Sequence, residues 1–382
     1  MNKKAYIKQV ILFVLITVVF VTPYLLLNGT NIVTNTYAFG SRQFWLGLSP
    51  YTDPRGQGDW FKYSPLFAWL YTPFASMPRS LQAAMWGLVN IILFWAGVCL
   101  WFPWGKFKSR WMWVGVILCS MEADGSFRYQ QMNAALVGLV MIGTFLYKEN
   151  RAGAAGVILA IATNIKILPG LFLLGLIFPI KKRFLAGILV GGTLCLAVPL
   201  SVWGLEKTWL YHREWYFLLF RDTQTEGLLD VATILGRLGF HHTKLWVLYP
   251  ISIVSLTLFL TRRLNKNTSS WDGWMALGLC TLLLVNPRTE SPTFVMGGPA
   301  YLFLLRHLLD KKGSRRTILL GVWCVGVFLI TLCMNDIWPK FLWNPGPWRH
   351  ANKTLGIFLL WTLSAFTWGT EAWGQENKEL SR

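Results

Sequence analysis

Apolar runs long enough to cross a lipid bilayer recur from one end of this sequence to the other. A hydrocarbon core of about 30 Å needs roughly 20 apolar residues in helical form. Inside it the backbone must satisfy its own hydrogen bonds. These runs therefore predict an all-α, polytopic membrane protein. Composition agrees, since 14% of residues are charged and 54% hydrophobic, against about a quarter charged in soluble domains.

About twelve spans are expected in one transmembrane domain covering 1–382. They run over Ile7–Leu27, Leu81–Phe102, Trp111–Met121, Ala134–Tyr147, Ala152–Thr163, Leu168–Ile180, Leu185–Trp203, Leu245–Leu260, Trp274–Val285, Met296–Leu309, Thr317–Met334 and Leu355–Trp368. The first could be taken for a signal peptide. It lacks a small-residue cleavage site and is longer than a signal core, so it counts as a span. Lys3, Lys4 and Lys8 then place the N-terminus in the cytoplasm, and basic clusters such as "GKFKSR", "KENR" and "KKR" mark the inner loops. Both termini fall inside. The loops at about 28–80, 122–133, 204–244, 286–295 and 335–353 face outward, and "WLYHREWYFLLF" within the third reads as an amphipathic interfacial helix.

The formal net charge of +19 is spread through these short clusters and forms no basic stripe on a polar helix, which excludes a nucleic-acid partner. The six cysteines fall within apolar spans without metal spacing, and His212, His241 and His242 have no carboxylate pattern around them, so no metal site is expected. No internal repeat supports a transporter built from inverted halves.

The longest interruption, Asn28 to Arg79, is rich in aromatics, Pro and Gly and holds Asp53 and Asp59. It reads as a folded lid over a site. Four other polar clusters share its side: "EADGSFRYQQMN", "NIK", the 204–244 loop and "NPRTESPTF". One-sided clustering suits an enzyme at the outer surface. A lipid-phosphate leaving group needs cations, for which Lys166, Arg128 and Arg288 are candidates. An attacking hydroxyl needs a carboxylate base, for which Asp59, Asp53, Glu122 and Asp124 are candidates. Gln131 and Asn133 would position the donor or its sugar, Trp60 and Tyr63 could stack on a sugar, and Glu290 is a further substrate contact. Each has a plainer alternative: Asp53 and Asp59 as turn residues, Glu122 and Asp124 as helix caps, Lys166 as a snorkelling cation, Arg288 and Glu290 as each other's partners.

The order of motifs resembles glycosyltransferase family 87, the polyprenol-phosphate-dependent membrane enzymes of GT-C type that include mannosyltransferases. "GLSPY" (Gly47 to Tyr51) with "FKYSP" and "TPF" is similar to the family's G-x-x-P-Y and F-x-Y-x-P…P stretches. "QQMN" (Gln130 to Asn133) resembles G-Q-x-N, Ala152 to Leu174 resembles the A-G…A-x-x-x-K-x-x-P hairpin, and "NPRTESPTF" (Asn286 to Phe294) resembles S-P-x-S-W. The resemblance implies a polyprenyl-phosphate sugar donor, a glycan or glycolipid acceptor in the cell envelope, and inverting transfer without a metal or cofactor. It also implies a multi-pass protein of the plasma (inner) membrane with an extracytoplasmic active site. Two departures stand out. The family's early Asp is replaced by a neighbourhood holding Asn31 and Asn35, so another acid must serve or the chemistry differs. Gln130 also occupies the first Gly of G-Q-x-N. A lipid-linked sugar or phospholipid transporter and an inactive polyprenyl-phosphate-binding relative are the alternative readings.

Overall fold

The computed structural model describes residues 3–28, 32–53, 59–107, 109–176, 181–221, 231, 234–235, 243–264, 271–286, 289–332 and 351–380. Every regular element among them is helical. Among the described residues four helices are long and apolar enough to cross a membrane: Lys3–Leu25, Arg79–Trp101, Lys182–Leu219 and Ser314–Leu332. Shorter apolar helices run over Asn133–Lys148, Ala152–Ile165, Leu248–Leu260 and Trp271–Val285.

The chain divides into two compact units, the first formed by Met1–Trp104 with Ser126–Gln224 and the second by Gly105–Gly125 with Thr225–Arg382. Both are helical and apolar, so composition does not mark the boundary.

The first unit begins with α1 (Lys3–Asn28), followed by the helices of the first long loop, α2 (Ile32–Trp45), α3 (Pro65–Leu70) and α4 (Thr72–Ala75). After α5 (Arg79–Trp101), α6 (Arg110–Arg128) passes through the second unit and returns the chain at its last turn. Then come α7 (Asn133–Lys148), α8 (Ala152–Ile165), α9 (Gly170–Leu176) and α10 (Lys182–Arg221). The long helices pack in a row, α1 on α5, α5 on α7, α7 on α8 and α8 on α10. Small residues set the closest crossing: a Cβ on Gly187 of α10 would come within 2.1 Å of the Gly153 carbonyl of α8. The flanks of the row are apolar and exposed, as at Val19 and Phe20 of α1 and Leu189 and Leu194 of α10. That suits a surface solvated by lipid.

Two expected loops turn out shorter than the sequence suggested. α6 continues through Glu122 to Arg128 because Glu122, Ala123 and Phe127 are buried on it. It stops where Gln130 takes a left-handed backbone, φ 58. α10 likewise continues past Trp203 to Arg221, broken only at Gly204, whose φ of 73 and ψ of 179 are open to glycine alone.

The second unit packs Trp271–Val285 against Gly297–Asp310 and Ala351–Leu380, with Thr243–Leu264 and Ser314–Val327 flanking. Arg306 grips Asp272 with two hydrogen bonds of 2.7 and 2.6 Å.

Candidate active site

The first outer loop is built around Tyr37. This ring, 1% exposed, meets Tyr63, Phe67, Tyr71 and Trp86 edge-on, with centroids 4.8 to 6.0 Å apart. Edge-to-face pairs of this kind add about 0.5–1.5 kcal/mol each beyond area burial. They hold the described parts of this loop together without any strand among them. α2 ends at Trp45, and two residues on Gly47, whose φ of 64 favours glycine, turns the chain into "LSPY".

The Tyr37 hydroxyl donates to the Tyr63 hydroxyl at 2.9 Å and accepts the Met132 N–H at 3.2 Å. Burial raises it well above the usual phenol range, and Tyr63 adds to the effect. It therefore stays protonated and fastens the loop to the "QQMN" turn. That turn is pinned again by Trp86 Nε1, which donates to the Gln130 carbonyl at 2.9 Å, and by the Ala135 N–H, which donates to Asn90 Oδ1 at 3.3 Å.

On this framework three predicted residues meet. Lys166, extended at the C-terminal end of α8, donates from Nζ to Asn133 Oδ1 at 3.0 Å. Asn133 Nδ2 donates in turn to Gln131 Oε1 at 2.5 Å. A cation is thus aligned by two amides whose own backbone is fixed. Nearby positions of the same motifs carry Ser64 Oγ and Asn164 Oδ1, both shut from solvent and without a hydrogen-bond partner among the described residues. Such atoms are uncommon in folded interiors and suit contacts to a ligand hydroxyl.

Asp59 is carried to α2. Its N–H donates to Thr36 Oγ1 at 2.8 Å, its Oδ1 accepts the Trp60 N–H at 2.7 Å, and Lys62 Nζ stands 3.3 Å from Oδ2. The backbone of Asp59 is therefore tied to the helical turn bearing Asn35, and its carboxylate remains partly exposed. Trp60 and Tyr63 are half-buried in the same segment, whereas Asp53 is exposed after the turn. Arg128 is exposed at the end of α6 with its guanidinium 5.1 Å from the Tyr24 ring centroid.

The other candidates are placed elsewhere. Glu122 and Asp124 belong to the second unit. There Glu122, 2% exposed, pairs with Lys353 at 2.5 Å, and Lys353 Nζ lies 5.2 Å from the Phe294 ring centroid. Asp124 is half-buried on the same helix. Glu290 is exposed before the short helix Ser291–Met296 of that unit. Arg288, His241 and His242 lie outside the described residues. Among the described residues no three His, Cys, Asp or Glu side chains converge to hold a metal.

Sequence reasoning missed Tyr37, Lys62 and Glu214. Glu214, on the outer part of α10, accepts a short hydrogen bond from Ser49 Oγ of "GLSPY". Burial and then Glu214 raise the neighbouring Tyr51 hydroxyl. The available signal was the spacing of hydrogen-bonding residues at 203, 207, 211, 214 and 215, which a helix gathers on one side.

The model of glycosyltransferase family 87 matches residues 60–287, more than half of the chain. The match takes in "FKYSP", "QQMN" and the Lys166 hairpin, and begins one residue after Asp59. No curated protein and no solved structure matches.

Proposed function

The chain belongs to glycosyltransferase family 87, and from that premise we propose that it moves a sugar from a polyprenyl phosphate to a hydroxyl of an extracytoplasmic glycan or lipid. The observation that carries this reading is the line Gln131, Asn133 and Lys166, set against the aromatic first loop. In the reaction the acceptor oxygen forms a bond to the anomeric carbon as the bond from that carbon to the phosphate oxygen breaks, with inversion. The phosphate leaves with the bonding electron pair and Lys166 receives its growing charge, while Asn133 and Gln131 keep the ammonium aimed. The acceptor proton passes to a carboxylate, for which Asp59 is assigned because Thr36 holds it beside Asn35. Trp60 and Tyr63 supply rings for the sugar. The transfer needs no metal in this scheme, and the site faces the outside of the plasma membrane.

Purified protein given radiolabelled sugar on defined polyprenyl-phosphate donors tests the reading. Removing one preorganised donor from a developing charge typically costs about 10²–10³ in kcat. Lys166→Ala is therefore expected to fall by that factor, and Asp59→Asn further than Asp53→Asn. Full activity in all three variants would overturn the site. Donor binding without consumption would favour an inactive relative that only holds the lipid.

A further inference from the structure

From Trp203 onward, α10 has two faces with different work. One is stitched to the first outer loop. Trp203 Nε1 donates to the Phe44 carbonyl at 2.7 Å, Lys207 Nζ and Tyr211 Oη donate to the Gly47 carbonyl at 3.0 and 3.1 Å, and Trp215 Nε1 donates to the Lys62 carbonyl at 3.1 Å. Glu214 completes the set as its one acceptor, taking the Ser49 hydroxyl. Past the break, the spacing of three and four residues puts Lys207, Tyr211, Glu214 and Trp215 along one side of the helix, with Trp203 just before it. Four of the five bonds end on the segment that leaves α2 and forms "GLSPY".

The other face is exposed. Leu205 is 77% exposed, Trp209 71%, Tyr216 54% and Phe217 44%. Between them stand Glu206 and Arg213, with the Arg213 guanidinium 5.8 Å from the Phe217 ring centroid. This face mixes large apolar side chains with one cation and one anion. It is too polar for the hydrocarbon core and too apolar for bulk water, which is the composition of a helix lying at headgroup level. It also continues the apolar flank of the same helix, where Leu189, Leu194 and Leu200 are exposed within the span. The stretch of 38 residues from Lys182 to Leu219 is nearly twice what one crossing needs, so the part past Gly204 must leave the core.

We propose that residues 205–221 rest on the lipid surface of the outer leaflet and act as a clamp, holding the Gly47–Tyr51 turn at the depth of the headgroups. A donor whose phosphate sits at that depth then meets a loop already ordered. Only this use of the loop rests on the proposed function; the seating on lipid does not.

The test uses the full chain in nanodiscs of phosphatidylethanolamine and phosphatidylglycerol. Nitroxide labels go on Trp209→Cys, Tyr216→Cys and, as a water-exposed control, Asp53→Cys, in a Cys324→Ser background. Labels at 209 and 216 are expected to collide with lipid-dissolved oxygen and to be shielded from a water-soluble nickel chelate, with the reverse at 53. Nickel access at 209 equal to that at 53 would overturn the proposal. So would shielding from both reagents, which would mean that protein covers the face. In parallel, amide exchange over residues 44–51 is expected to quicken about tenfold or more in Glu214→Ala. Glu214→Gln, which keeps an acceptor for Ser49, is expected to restore most of the protection. Unchanged exchange in Glu214→Ala would overturn the clamp. Neither readout requires turnover, so an inactive protein leaves both interpretable.

Discussion

Gln130 holds a backbone conformation that costs an ordinary L-residue about 1–2 kcal/mol. Its φ of 58 is imposed from both sides, since its N–H bonds the Phe127 carbonyl at 3.1 Å and its own carbonyl accepts Trp86 Nε1. The family pattern has glycine at this place, and the geometry supplies the reason. Gln130→Gly is expected to be the mildest substitution here. Gln130→Val should cost more than about 2 kcal/mol, because a β-branched residue resists positive φ. Thermal unfolding in detergent checks the ordering, and a Gly variant melting below the Val variant would refute it. The carboxylates divide by the same kind of local reasoning. Glu122 is buried against Lys353, so it is already committed to an ion pair, and a buried pair of this type is costly to break. Asp59 is partly exposed, and its weaker partner Lys62 lies three residues away on the same loop.

Elements show why some of this was legible and some was not. The meeting of Lys166 with Asn133 could be anticipated, because α7 starts at Asn133 and turns at "KENR", and α8 then runs back to end at "NIK" on the level where α7 began. The stitching of α10 to the first loop could not, because four of its five bonds end on backbone and the fifth on a serine that sequence leaves silent. The continuation of α6 to Arg128 was hidden for a related reason. "EADGSFR" reads as polar loop until Lys353, far along the chain, neutralises Glu122. Within α10 one residue also makes the clamp sensitive to acid. His212 Nδ1–H donates to the Thr208 carbonyl at 2.8 Å, while Nε2 is buried with no partner among the described residues. Burial pushes its pKa below the ordinary value, with the carbonyl opposing in part. The unfolded segment therefore binds the proton more readily than the folded one. The stabilisation is whole above about pH 6.5, declines as pH falls through that value and is gone below the folded pKa. Amide protection of 205–221 is expected to weaken as pH falls below about 6.5, the ordinary histidine value. His212→Gln should flatten that dependence, and an unaltered pH profile in the variant would exclude His212 as the cause.

For the molecule as a whole, the expected orientation rests on what the first unit gathers at its two ends. At one end, Gln9 Nε2 donates to the Phe102 carbonyl at 2.8 Å, which sets the Lys3, Lys4 and Lys8 region of α1 beside the end of α5. There too Lys148 Nζ lies 4.8 Å from the Trp101 ring centroid and Lys181 Nζ 4.4 Å from that of Tyr147. Lysines over aromatic rings at the ends of apolar helices mark a membrane boundary, and their excess marks the cytoplasmic side. At the other end of α7 stand Asn133, Lys166 and the first loop. α7 has 16 residues and so separates the two ends by about 24 Å, close to the thickness of the hydrocarbon core. The candidate site and the basic cluster therefore lie at opposite ends of α7, and the excess of lysine at one end leads us to expect that they open on opposite compartments. In intact cells a membrane-impermeant maleimide is expected to label Asp53→Cys directly, and to label Asn150→Cys in the "KENR" turn only after permeabilisation. The reverse pattern would turn the candidate site toward the cytoplasm, where a donor presented on the outer leaflet could not reach Lys166.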